Sequence, residues 1–360
     1  MRKILKFVSP YAAVALTVSL ITLVLTILAD SSYAVADSLN VTVLAAMRMS
    51  LAAVTNILPI SLFEILVFLI IPIIALAVIL TVRRLRRGRH PVAVIVSLAA
   101  TVTLLLSVYQ LTIGIAYDAT PVGNRLGITE VEVNEDNLAA VLDRLTDEIN
   151  SLSESIDYSS GHSDPGYTVD TISAMIAESY EKYADLPGFS PSFSSRAKPM
   201  LLSPLMTSLE LTGIYFPYTG EANVNNLYPT YDLCYTVAHE MSHQRGIMRE
   251  NEANFMAFLL CYTSGDPYLR YSAAMNVYSY VAGALNATNR DRFLEIYSRL
   301  SDGPRADFSA SRAVAEQYEN ELLAEISERV NDWFLKSNGT PGVVSYGMVV
   351  RLAVAYLMAE

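Results

Sequence analysis

The sequence predicts an N-terminal α-helical membrane region with three spans (1–117), followed by a mainly helical α+β soluble domain with a small sheet (118–360). Two observations lead there. The 360 residues divide by charge: residues 1–117 hold nine Lys/Arg and three Asp/Glu, and the remainder sixteen and thirty-three. The basic part also carries three apolar runs, at about 8–29, 62–82 and 92–116. Each is close to the ~20 residues a helix needs to cross ~30 Å of hydrocarbon. Composition agrees, since 52% hydrophobic and only 17% charged residues exclude a disordered chain. Two cysteines exclude a disulfide-dense scaffold and any four-cysteine metal site. The net charge of −11 argues against nucleic acid as a partner.

Taken in order, the first run follows Arg2, Lys3 and Lys6. Met1-Arg-Lys and Ser32-Tyr33-Ala34 resemble a cleavable signal, but the run is longer than a signal core, so it is read as a span. Residues 41–60 place Val43, Leu44, Met47, Leu51, Val54 and Leu58 near helical spacing, with Arg48, Ser50 and Asn56 between them. That pattern predicts a short helix lying on the bilayer surface, or a segment packed against its neighbours. The second run starts near Glu64, which can reach the headgroups, and contains Pro72, which a membrane helix tolerates. Arg83, Arg84, Arg86, Arg87 and Arg89 separate the second and third runs. By the positive-inside rule the N-terminus and 83–91 are cytoplasmic, and everything after about Tyr117 is outside. The expected localisation is a multi-pass cytoplasmic-membrane protein with an extracytoplasmic C-terminal domain.

Beyond Asp118, helical periodicity appears at 137–152 and 168–183, with a loop at 159–166. Residues 212–219 form a short β-type run, and Pro217 within it predicts an edge strand. Helices are then expected at about 230–245, 250–262, 268–286, 290–301, 309–337 and 344–358. The last is apolar but short and interrupted by Arg351, so it is read as a packed helix.

The chemistry lies in His239-Glu240-Met-Ser-His243. Histidines at i and i+4 project from one helix face, where both can bind one Zn2+ ion, and Glu240 is placed to act as general base on a water. Such a site needs a third protein ligand. A histidine six residues on would serve, but that position is Arg249, a cation that cannot ligate. The carboxylates of Glu250 and Glu252 follow instead, after a turn that Gly246 can make.

His239-Glu-x-x-His243 followed by Glu250-x-x-Ala253-Asn254 resembles the gluzincin metallopeptidases. The resemblance implies that Glu250 is the third ligand, with Glu252 its rival, and that Asn254 orients a ligand. The longer stretch from Thr212 to Phe255 looks like a family of uncharacterised bacterial multi-span membrane proteins with an extracytoplasmic zincin-like domain. It implies a small sheet whose edge strand, here Gly213, Ile214, Tyr215 and Phe216, precedes the motif helix and aligns substrate.

The expected function is therefore a membrane-anchored zinc metallopeptidase acting on a peptide or protein substrate, with Glu240 catalytic and one Zn2+ held by His239, His243 and Glu250. The alternative is a non-catalytic sensor or scaffold that binds peptide or cell-wall fragments; the intact Glu240 argues against it. Tyr215, Tyr218, Tyr278 and Tyr280 are candidates for a phenol that stabilises an oxyanion, against ordinary packing of an abundant residue. His162 reads as an exposed loop residue, and Cys234 and Cys261 as buried thiols.

Overall fold

The computed structural model describes residues 7–129 and 131–359. Arg2, Lys3 and Lys6, on which the placement of the N-terminus rests, lie outside the described residues. The chain is mostly helical, with one three-stranded sheet.

Its front third is α1 (Pro10–Asp30), α2 (Tyr33–Val41), α3 (Val43–Thr55), α4 (Leu62–Arg86) and α5 (Pro91–Thr112). The long helices start where the sequence supplies a cap. Ser9 accepts the Ala12 amide at 3.1 Å with Pro10 in the first turn, and Ser61 accepts the Glu64 amide at 3.1 Å. Pro72 remains inside α4. α1, α4 and α5 cover the three predicted runs, α5 stopping at Thr112 before a 3-10 turn over Gly114–Asp118. Among the described residues, two further stretches are also long and apolar enough to cross a membrane, Tyr33–Thr55 and Gly342–Ala359.

The stretch expected on the bilayer surface corrects the sequence reading at Arg48. The sequence groups it with the polar residues between the apolar ones; in the fold it is wholly buried, while Val43 and Val54 are exposed. Its Nη2 donates to the Asn40 carbonyl and Oδ1, both at 2.8 Å, and to Ser190 Oγ at 3.3 Å. Asn40 Nδ2 in turn donates to the Gly246 carbonyl at 3.1 Å. Gly246 has φ +88°, and a Cβ there would lie 2.4 Å from Arg48 Nη2, so both backbone and space demand glycine.

A second seam lies nearby. Lys198 and Glu221 form an ion pair of 2.5 Å with side chains 1% and 0% exposed. Lys198 Nζ also donates to the carbonyls of Thr55 (2.7 Å) and Ile60 (3.0 Å). Glu221 accepts the amides of Leu62 (3.0 Å) and Phe63 (2.9 Å) in the first turn of α4, where a helix end favours negative charge. A buried pair is tolerable when its remaining donors and acceptors are met, and here the α3–α4 connector meets them. Glu64 points the same way, accepting the Leu202 amide at 2.6 Å rather than reaching headgroups alone.

The remaining elements are α6 (Val122–Arg125), α7 (Glu135–Ser153), α8 (Val169–Ala184), β1 (Ala197–Pro199), α9 (Ser203–Ser208), β2 (Gly213–Phe216), β3 (Glu221–Val224), α10 (Thr230–Gln244), α11 (Glu250–Tyr262), α12 (Pro267–Thr288), α13 (Arg290–Tyr297), α14 (Asp302–Gln317), α15 (Glu321–Ser337) and α16 (Val349–Ala359). In α7, Leu138, Leu142, Leu145 and Ile149 are buried at the expected spacing, and the helix packs along α12. α10 and α11 are buried on almost every face and form the centre of the core. The sheet order is β1-β3-β2, with β1 parallel and β2 antiparallel to β3. β2 lies at the edge, and Pro217 falls in the turn after it rather than in the strand.

One predicted helix is wrong: 309–337 is two helices, α14 and α15, separated at Tyr318–Asn320. Asn320 breaks the run by capping α15, accepting the Leu323 amide at 3.1 Å. The expected helix at 344–358 is shorter, with a 3-10 stretch over Gly342–Met348 ahead of α16.

Candidate metal centre

α10 carries the motif and ends in a tight turn. The Gly246 amide donates to the His243 carbonyl at 2.9 Å and the Ile247 amide to the Ser242 carbonyl at 3.1 Å, the paired bonds of a Schellman cap. The cap performs a second task. It folds the Ile247 carbonyl back to accept from His243 Nδ1 at 2.8 Å. That bond fixes the proton on Nδ1 and leaves the Nε2 lone pair free in the neutral ring. Three residues later α11 begins, and Glu250 sits in its first turn, facing α10.

Three ligand atoms converge: His239 Nε2 and His243 Nε2 are 3.0 Å apart, and Glu250 Oε2 lies 3.3 and 3.7 Å from them. A tetrahedral zinc ion with bonds of 2.0–2.1 Å requires neighbouring ligand atoms about 3.3–3.4 Å apart. The mean spacing here matches, so the donor set fits the ion in both type and geometry. Glu252 does not join them. Two positions on, it faces elsewhere and pairs with Arg249 at 3.1 Å.

Glu240 is buried beside the cluster, and its Oε2 has no hydrogen-bond partner. Burial raises its carboxyl to about 7, against the opposing pull of His239, His243 and the Tyr215 amide. Burial also disfavours charge on Glu250 and on His243. Their mutual attraction outweighs it, holding Glu250 well below the usual carboxylate range and lifting His243 to about 9. Without a metal the pair therefore shares one proton, which a cation would displace.

The edge strand approaches Glu240 closely. A Cβ at Gly213 would lie 2.4 Å from Glu240 Oε1, so a side chain there would occupy the carboxylate's place. Thr212 pairs with Asn225 and Ile214 with Asn223 across the β2–β3 ladder. By the alternation of an antiparallel pair, the backbone groups of Gly213 and Tyr215 face away from β3, where the Tyr215 amide meets the Glu240 carboxylate.

These residues line a cleft of about 1030 Å³. Its floor is His239, Glu240, His243 and Glu250, and one wall is Leu209–Tyr218. Asn254 also lines it; its side-chain Nδ2, like Nδ1 of His239, is buried without a partner, so the structure forms no bond from it to a ligand. Of the tyrosines, Tyr215, Tyr218 and Tyr280 border the cleft, whereas Tyr278 packs against Phe308. The Tyr215 hydroxyl is buried and unpartnered. His162 bonds only its own loop, to the Ser163 carbonyl, and Cys234 and Cys261 are free buried thiols.

Sequence reasoning missed the rest of the cleft. Asp232, Asn276, Ile326, Val330, Trp333 and Phe334 line it, as do Tyr109 and Ile113 at the end of α5. The apolar stripe Leu322, Ile326, Val330 and Trp333 was visible at helical spacing; what it faces was not.

A family model described as "Protein of unknown function (DUF3810)" matches residues 41–354. No curated protein and no solved structure matches the chain.

Proposed function

The chain belongs to the DUF3810 family, and we propose that it is a membrane-anchored zinc metallopeptidase with a zincin-like catalytic domain. The observation that carries this reading is the convergence of three ligand atoms at zinc spacing beside a buried carboxylate with a free oxygen. His239, His243 and Glu250 would hold the ion. Bound there, zinc would supply Lewis-acid chemistry, polarising a carbonyl and acidifying a water.

The chain's own groups do the remainder. Glu240 takes a proton on its unpartnered Oε2 and later releases it to the leaving nitrogen. The Ile247 carbonyl keeps the His243 ring in the ligating tautomer. An extended peptide adds to the edge of β2 through the backbone groups of Gly213 and the Tyr215 carbonyl. The arginine-rich α4–α5 loop supports an extracytoplasmic reading of this domain by the positive-inside rule.

The test is the zinc content of the purified full chain, measured for wild type, Glu240→Gln and Glu250→Ala. One equivalent is expected in the first two and a loss in the third. Folded wild type that takes up no zinc when it is supplied would overturn the proposal.

A further inference from the structure

The cleft does not stand clear of the membrane helices; it is partly built from them. α4 begins and α5 ends on the same side, away from the arginine-rich loop between them. Tyr109 and Ile113, at that end of α5, line the cleft with the metal cluster. β2 links the two regions. It starts at Gly213 beside Glu240 and finishes at Phe216, whose ring lies 4.4 Å from that of Phe63 in the first turn of α4. The turn beyond goes deeper: the Tyr218 hydroxyl donates to the Leu105 carbonyl at 3.4 Å. Leu105 precedes the end of α5 by seven residues, about 10 Å along the axis.

The opposite wall is apolar. Ile326, Val330 and Trp333 of α15 line the cleft and are 48%, 60% and 69% exposed. α15 itself is tied to the membrane helices, because Tyr109 donates to Asn338 Oδ1 at 2.6 Å and meets the Phe334 ring edge-on. A strand laid on β2 therefore runs from the metal centre to the bilayer surface, between a backbone edge and an exposed apolar helix face.

We propose that the substrate is a membrane-anchored polypeptide, held by the extended segment next to its own anchor and cut close to the bilayer. This rests on the peptidase reading above. The four residues of β2 span about 13 Å at strand rise. A substrate strand of that length ends at the start of α4, so the cut falls roughly four to six residues from the anchor.

The experiment uses the full zinc-loaded chain in phosphatidylcholine vesicles. The probe is a randomised ten-residue segment, presented free or fused to a single transmembrane helix through spacers of two, five or fifteen residues. Products are identified by mass spectrometry. Cutting of the anchored probe should exceed that of the free probe at least tenfold, peak at the five-residue spacer and map near the anchor. Confinement to one bilayer would by itself favour all spacers alike, so the spacer profile separates recognition from proximity. Ile326→Ser with Trp333→Ser, at exposed positions, should lower cutting of the anchored probe while leaving zinc content unchanged. Equal cutting of free and anchored probes, or no spacer dependence, overturns the proposal and leaves the peptidase reading standing. No cutting of any probe by zinc-loaded protein defeats both.

Discussion

Gly213→Ala tests the site through a position that touches no metal ligand. The added Cβ would lie 2.4 Å from Glu240 Oε1, 2.6 Å from Cγ and 2.7 Å from Cδ, where ordinary contact begins at 3.4 Å. Strand and carboxylate must separate by about 1 Å to relieve this, and a displacement of that size costs on the order of 10²-fold in rate. In barrier terms that is about 2.7 kcal/mol. Zinc affinity should be unaffected, because His239, His243 and Glu250 lie outside the contact. The assay is kcat on a peptide identified from the randomised probe, with zinc content measured on the same preparation. Glu240→Gln is the reference and should lose about 10²–10⁴-fold. Activity of Gly213→Ala within threefold of wild type would refute the reasoning, showing that Glu240 is not the base at its observed position. Loss of zinc would refute it differently, by showing that the strand supports the ligands as well.

Three further outcomes are expected. Glu252→Ala should keep its zinc, since that carboxylate pairs with Arg249 at 3.1 Å, and equilibrium dialysis against zinc reads this directly. Lys198→Met should destabilise the protein by about 3–5 kcal/mol by leaving Glu221 buried without its counter-charge, and the double variant Lys198→Met/Glu221→Gln should recover part of the loss in denaturant titrations in detergent. Asp232 gives a pH dependence: burial, partly offset by hydrogen bonds including that from Ser311, raises its carboxyl from 3.8 to about 6 in the fold. Its contribution is therefore complete below about pH 4 and is lost as pH rises through about 6. The full shift corresponds to about 3 kcal/mol, and roughly half that is expected because the side chain borders an open cleft. Asp232→Asn should flatten the slope of the thermal midpoint over that range.

The legible part of this protein is the part written locally. His239, Glu240 and His243 share one helix face, and Glu250 follows a glycine turn, so twelve consecutive positions specify the cluster. The three long apolar helices were equally visible, because length and hydropathy suffice. What was hidden depends on distance along the chain. Arg48 reads as a polar residue on a surface helix until Asn40 and Gly246 close around it, the latter nearly two hundred positions away. Lys198 and Glu221 are ordinary charges in sequence, and only the α3–α4 connector makes them a buried pair. The break between α14 and α15 had a signal, since Asn320 is a capping residue, but continuous apolar spacing outweighed it.

The two seams also set an order of events during synthesis. Arg48 and the connector at Thr55–Phe63 leave the ribosome long before Lys198, Glu221 and Gly246 exist. At the usual 5–20 residues per second, the interval is roughly 10–40 s. Throughout it, Arg48 has Asn40 as a partner but not Ser190, and the connector lacks the Lys198 and Glu221 that later meet its backbone groups. The turn between α10 and α11 meets Asn40 only after that interval. A nascent chain halted before Gly246 should therefore be cut by added protease within α2 and α3, and a chain released past it should resist. The α10–α11 turn thus closes onto helices already made, and a chain in which α2 and α3 are misplaced should assemble the cluster poorly.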